Sequence, residues 1–363
     1  MNRPSEAAIT ITEAAYDLQV TETDWFPRVI DATVPLIDHG LGVAGLVGTI
    51  PRDCGPGKVA EMHVATGPAD FPMHLMRAMA EVPRESVRRQ LRPRIGVLSE
   101  VNVEEPRFLE AWTRHIDYAT DGIGITALDP NGRFVHIIAP ASGAVTLSRV
   151  ERDRWRMLAA HLSAGLRLRG ALSAAHSAPT GEATGPPCGA DVVLDANSFR
   201  VTEAGKDAQL PVSLQAVRDA AIRMDRARGR LRRDDPETAL KIWWALLRGR
   251  WSMVEWFDTD RRRYILAVPN APRVLDPRGL TERECQVVAY AALGESKKLI
   301  AYRLGISGPR TSEALRSAMR KLCVKTQAQL VEKLHTLGTE QPPRPQRPGR
   351  SPKAESTAST ANP

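Results

Sequence analysis

The stretch from Leu280 to Leu337 constrains this chain more than any other part, because it spells four short helices with their ends marked. Thr281 is a good N-cap, and Glu284, three residues on, can reach back to the cap N–H, which makes a capping box. The first helix then runs to about Leu293, with Val287, Val288, Ala291 and Ala292 at helical spacing and Gly294 where a left-handed terminal residue is expected. A second helix, Ser296 to Leu304, keeps Leu299, Ile300 and Leu304 apolar and leaves Lys297 and Lys298 outside. Gly305-Ile306-Ser307 makes a tight turn, and Ser307 can cap a third helix. There Leu315, Ala318, Met319 and Leu322 share one face, while Ser312, Glu313, Arg316 and Arg320 share the other. A short fourth helix, Thr326 to Leu337, closes the core through Leu330, Val331 and Leu334.

Two short helices joined by a tight turn, with a basic outer face on the second, form the arrangement that inserts a helix into a DNA major groove. Residues 280–335 resemble the DNA-binding domain of the LuxR family of transcriptional regulators. The resemblance lies in Leu-Thr-Glu-Arg-Glu from Leu280, Lys-Leu-Ile-Ala-Tyr-Arg-Leu-Gly-Ile-Ser from Lys298, Arg-Lys-Leu-Cys-Val from Arg320 and Gln-Ala-Gln-Leu-Val from Gln327. It covers about one sixth of the chain and implies a sequence-specific regulator that binds double-stranded DNA. A homodimer on two half-sites is expected, since one short recognition helix reads few base pairs. RNA polymerase is a further candidate partner.

The pattern departs from the family in two places. Leu299 stands where Glu is usual, and Ser307-Gly308-Pro309-Arg310-Thr311 carries its Pro one residue late. Aligned without a gap, Thr311 takes the usual Val position and Ser312, Glu313 and Arg316 take the outward positions that face bases in relatives; a one-residue shift in the turn gives a different set. Arg316 could pair with guanine O6 and N7, and Glu313 could accept from cytosine N4. Lys297, Lys298, Arg310 and Arg320 suit phosphate contacts, which set register without reading sequence.

Charge agrees with this reading. The chain carries 50 Lys and Arg against 42 Asp and Glu, a net +8, and 12 basic against 6 acidic residues in 273–337 place most of that excess near the candidate DNA-binding helices, as phosphate partners require. The four cysteines are scattered without a Cys-x-x-Cys pair, so neither a disulfide framework nor a zinc site is indicated. A reducing, cytoplasmic setting follows, with no membrane span and no signal-peptide core expected.

Punctuation divides the rest. Residues 1–170 alternate helical and strand patterns: a helix from Trp25 to Ile37 despite Pro27 and Pro35, strands at 41–50 and 58–65, helices at 71–80, 84–91 and 107–118. A hairpin follows around Asp129-Pro130-Asn131-Gly132, then a long helix from Ser148 to Leu168. This order resembles a GAF-type sensor. Residues 171–190 are small and Pro/Gly-rich and read as a linker. Residues 191–270, with a hairpin, two helices and two strands, look like a compact PAS-like α/β module. The LuxR-type domain occupies 274–337, and 338–363 read as a disordered tail. The fold class expected is thus multidomain: α/β, GAF/PAS-like N-terminal modules that take an unidentified small-molecule or protein signal, plus an all-α, four-helix C-terminal helix-turn-helix domain.

Other motifs point nowhere. Gly40-Leu41-Gly42-Val43-Ala44-Gly45 matches G-x-G-x-x-G but follows a helix and enters a strand, opposite to a dinucleotide site. The histidines make no i, i+4 metal pair. The aromatic cluster Trp243, Trp244, Trp251, Trp256 and Phe257 reads as core packing rather than a pocket. The spacing of Trp155, Leu158, Leu162 and Gly165 or Leu166 suits packing on the domain's own sheet, or a dimer seam. No nucleophile–base–acid constellation is present, so the chain is not expected to be an enzyme, and no cofactor is expected. The alternative is a protein-interaction regulator, or a ligand-binding sensor, whose C-terminal domain no longer binds DNA.

Overall fold

The computed structural model describes residues 4–50, 58–83, 86, 94–101, 106–129, 132–176, 189–205, 208–244, 251–258, 260–269, 280–322 and 324–331. The N-terminal region is a five-stranded antiparallel sheet between two helical layers. Its strands are β1 (Val43–Thr49), β2 (Lys58–Thr66), β3 (Arg94–Val97), β4 (Asp121–Leu128) and β5 (Arg133–Ala141), in the order β2-β1-β5-β4-β3. Alternation along the strands sends side chains to opposite faces. Ile123, Ile125, Val135 and Ile137 pack on α1 (Pro4–Tyr16), α2 (Glu22–Ile37) and the long α6 (Arg149–His176) through Ile9, Phe26, Ile30, Leu158 and Leu162. On the other face Leu46, Phe134 and Ile138 lie under α3 (Phe71–Glu81), the single turn α4 (Leu98–Val101) and α5 (Pro106–His115), against Leu75, Leu98 and Trp112. Each large side chain so enclosed is worth about 1.5–3 kcal/mol in transfer free energy.

The helix expected from Trp25 is present and begins earlier, because Thr21 caps it by accepting from the Asp24 N–H; Pro27 and Pro35 lie inside it. Trp155, Leu158, Leu162 and Leu166 are buried within the same cluster as the sheet, so the seam packs on its own domain. At Gly165 an added Cβ would stand 2.1 Å from the Ala15 carbonyl oxygen; glycine is what lets α1 lie on α6. Three elements go beyond the sequence reading. The Ile-Thr-Ile-Thr run of α1 alternates like a strand, and burial against α2 and α6 overrides that local preference. Strand β3 and helix α4 are four residues each, too short to show a period. Helix α6 continues to His176, into the stretch read as linker. Apart from Ser86, the helix expected at 84–91 lies outside the described residues, as do residues 177–188 of the linker and the C-terminal tail.

A second sheet follows, built from β6 (Val192–Asp195), β7 (Val201–Ala204), β8 (Trp251–Phe257) and β9 (Arg263–Pro269) in the order β7-β6-β9-β8. One face packs on α7 (Pro211–Arg228) through Val217, Ala221 and Met224. The other face, Val193, Val254 and Leu266, packs on Leu18 and on Leu168 and Leu172 of α6. Helices α8 (Leu231–Asp234) and α9 (Pro236–Trp244) complete this part. Trp251 and Trp256 pack in clusters on opposite faces of this sheet, which is core packing; the Trp244 side chain lies outside the described residues.

The chain then forms α10 (Glu282–Ala292), α11 (Lys297–Leu304) and α12 (Gly308–Lys321). Their core is Val287, Val288, Ala291, Ile300, Leu304, Leu315, Ala318, Leu322 and Leu330. Of the fourth helix expected over Thr326 to Leu337, residues 327–331 are helical, and residues 332–337 lie outside the described residues.

Candidate nucleic-acid interface

Local chemistry sets the ends of these helices. Thr281 and Glu284 form the full capping box, with Glu284 N–H donating to Thr281 Oγ1 at 3.2 Å and Thr281 N–H to Glu284 Oε2 at 2.7 Å. Ser296 caps α11 by accepting from Leu299 N–H, and Gly305 ends it at φ 59°, a left-handed conformation natural to glycine. Ser307 caps α12 by accepting from Arg310 N–H. The turn between α11 and α12 is therefore fixed at both ends, which sets the angle at which α12 stands off the core.

On α12 the faces separate as the spacing requires. Leu315, Ala318 and Leu322 are buried, whereas Arg310, Glu313, Arg316 and Arg320 are exposed and Ser312 is half-exposed. Thr311 is fully buried, and its hydroxyl donates to the Ser307 carbonyl at 3.1 Å. Lys297 and Lys298 are exposed at the start of α11. The residues read as DNA contacts thus gather along α12 and the first turn of α11.

Residues 278–334 match the family of bacterial regulatory proteins of the luxR family. They form a LuxR-family domain. Among solved structures the chain is similar to SdiA in complex with octanoyl-rac-glycerol, at 13% identity over 92% of this chain and 88% of that one, with a TM-score of 0.22. It is also similar to Escherichia coli SdiA, at 12% identity over 82% and 83% of the two chains, TM-score 0.21. No curated protein sequence matches the chain.

The LuxR-family domain rests on α6 through the outer face of α11. Arg303 is 6% exposed. It donates to Ser163 Oγ at 2.7 Å and to the Ala160 carbonyl at 3.5 Å, both on α6. Its guanidinium pairs with Glu295 at 2.8 Å and lies 5.0 Å from the centre of the Tyr290 ring. Tyr302 Oη lies 3.4 Å from His161 Nε2, whose Nδ1 is 3.1 Å from Tyr16 Oη. Arg167 on α6 pairs with buried Asp129 at 3.4 Å and donates to Tyr290 Oη. Lys298 lies 3.7 Å from Asp153, also on α6, so one expected phosphate contact already has an acidic neighbour in the chain. Sequence reasoning missed this junction, although Leu299, apolar where the family carries Glu, was a signal of it.

A second feature lies in the N-terminal region. A cavity of about 50 Å³ opens between the sheet and α5, roofed by Phe108 and Trp112. Its floor includes Gly96 and Gly124, cross-strand partners without side chains, and Gly122. His136 lines one end, its Nδ1 2.8 Å from Thr126 Oγ1. Burial pushes His136 down to about 4, which keeps it neutral near pH 7. Among the described residues, no group of His, Cys, Asp and Glu is arranged to hold a metal ion, and no helix is long and apolar enough to cross a membrane.

Proposed function

We propose that this chain is a sequence-specific DNA-binding transcriptional regulator whose LuxR-family domain is controlled by the α/β regions before it. The carrying observation is α12: one face buried in the domain core, the other presenting Glu313, Arg316 and Arg320 to solvent from a turn fixed by Gly305 and Ser307. Full burial of Thr311, in the position usually held by an apolar residue, supports the ungapped register. In that register Ser312, Glu313 and Arg316 read bases, while Lys297, Lys298, Arg310 and Arg320 hold phosphates. The sheet between helical layers supports a GAF-like sensor. The second sheet supports a PAS-like module. A homodimer in the cytoplasm fits a regulator that must read two half-sites. The test is selection of genomic fragments by the full chain at about 150 mM salt, beside Arg316→Ala. Enrichment of a two-fold-symmetric site that Arg316→Ala relaxes at one base position supports the reading; no enrichment at any salt refutes it.

A further inference from the structure

A cavity of about 340 Å³ lies where the LuxR-family domain meets the N-terminal region, a volume in the range of small-molecule sites. Both bodies build it: Ile95 and Ala159 on one side, Leu299 on the other, with Arg156, Glu295 and Arg303 among its polar lining. The side chains of Glu295 and Arg303 are 1% and 4% exposed. They touch as an ion pair, Arg303 Nη2 lying 2.8 Å from Glu295 Oε1, yet among the described residues Glu295 Oε2 and Arg303 Nε have no hydrogen-bond partner. Unmet buried polar atoms of this kind are costly and are commonly explained by a missing water, ion or ligand.

The walls select the chemistry of an occupant. A cation would meet Arg303 and Arg156, and an anion would meet Glu295. A neutral group with an N–H beside a C=O can give its hydrogen to the carboxylate and accept from the guanidinium. Burial raises Glu295 above the ordinary carboxyl range, and an amide also complements a protonated carboxyl, which both donates and accepts. Ile95, Ala159 and Leu299 offer apolar contact to the rest of the molecule, and Leu299 supplies it where the family pattern has Glu. We infer that this junction cavity binds a small neutral molecule bearing a carboxamide on an apolar body, and that the molecule fastens the LuxR-family domain to α6. The site goes beyond the function proposed above and can be tested with no DNA present.

The experiment uses the full chain and three probes with one ring and different heads: benzamide, benzoate and benzylamine. Binding is followed by saturation-transfer NMR and calorimetric titration. Benzamide is expected to bind saturably, at least about tenfold more tightly than either charged probe. Leu299→Trp and Ala159→Leu, which fill the cavity from opposite walls, are expected to abolish that binding while far-UV circular dichroism stays unchanged. Benzamide should also slow hydrogen exchange at the α11 amides. Absence of saturable benzamide binding, meaning that the cavity holds water alone, overturns the inference. So does equal binding of all three heads, or binding that survives both filled variants. Unchanged α11 exchange in the presence of bound benzamide overturns the fastening role. Should a filled variant fail to fold, the comparison of heads on the unmodified chain still decides. Each of these failures leaves the DNA-binding reading to its own assay.

Discussion

Arg303→Met removes one charge and keeps most of the side chain's apolar bulk. Glu295 then loses the ion pair at 2.8 Å while its own side chain stays 1% exposed. A lone buried carboxylate is relieved by taking up a proton. At pH 7, protonating a carboxyl whose ordinary value is 4.5 costs about 1.4 kcal/mol for each of roughly 2.5 pH units, or about 3 kcal/mol. Loss of the Ser163 hydrogen bond adds to this, and relief from desolvating the guanidinium offsets it. Burial already raises Glu295 in the intact pair, so the expected destabilisation is at most about 3 kcal/mol at pH 7, shrinking to at most about 1 kcal/mol near pH 5.5. All seven tryptophans lie between Trp25 and Trp256, so fluorescence is silent on the LuxR-family domain; hydrogen exchange at Val287, Val288 and Ile300, whose side chains sit in its core, is the proper readout. Replacing the pair together, Arg303→Met with Glu295→Leu, should restore most of the loss. A loss that does not change with pH, or one below about 1 kcal/mol at pH 7, would refute the claim that a buried charge pair holds this junction.

The proposed DNA face predicts a division of effects: Arg316→Ala should cost about 1–3 kcal/mol at one base position, while Arg310→Ala or Arg320→Ala should weaken all sequences alike and lower the salt slope by about 1, read by fluorescence anisotropy across salt. Gly165→Ala, which raises helix propensity, should nonetheless lower the thermal midpoint, because its Cβ would stand 2.1 Å from the Ala15 carbonyl oxygen; calorimetry showing a higher midpoint would contradict the close approach of α1. Burial holds His136 down at about 4 and His161 at about 3, so the unfolded chain takes up protons first as pH falls. Stability should therefore drop from about pH 6.5 downward, by up to about 1.4 kcal/mol per pH unit for each histidine. Urea midpoints between pH 7 and 5 should flatten in His136→Gln, and an unchanged slope would speak against its burial as a neutral ring.

The parts of the fold that could be read in advance are those whose signals are local. Thr281, Ser296, Ser307, Gly294 and Gly305 mark helix ends through hydrogen bonds to neighbours within a few residues, and each does so in the structure. Strands β4 and β5 were legible because a Pro-Asn-Gly turn separates two apolar runs. Helix α1 was not, since its Ile-Thr-Ile-Thr run becomes helical through burial against α2 and α6, a non-local cause. The junction was hidden for the same reason. Nothing local tells that Tyr302 and Arg303 will meet His161 and Ser163, about 140 residues earlier in the chain. Leu299 broke a family pattern, and such a break acquires meaning once its neighbours are known.

Helix α6 is where these observations converge. Trp155, Leu158 and Leu162 bury against the first sheet, Leu168 and Leu172 against the second, and Ala160, Ser163 and Arg167 meet the LuxR-family domain. A helix is a stiff rod, and close-packed interiors transmit displacement instead of absorbing it. A rotation of α6 that repacks its contact with the first sheet must therefore move the seat of Arg303 as well. That seat combines small residues with a charge pair whose Glu295 Oε2 and Arg303 Nε have no hydrogen-bond partner among the described residues, so water can compete for it when the domain lifts away. Under the function proposed above, control of DNA binding requires no contact with α12 itself, whose outer face is exposed while α11 is seated on α6. In that proposal the quantity to control is the mobility of the domain, and with it the spacing at which the two copies of a proposed dimer meet two half-sites.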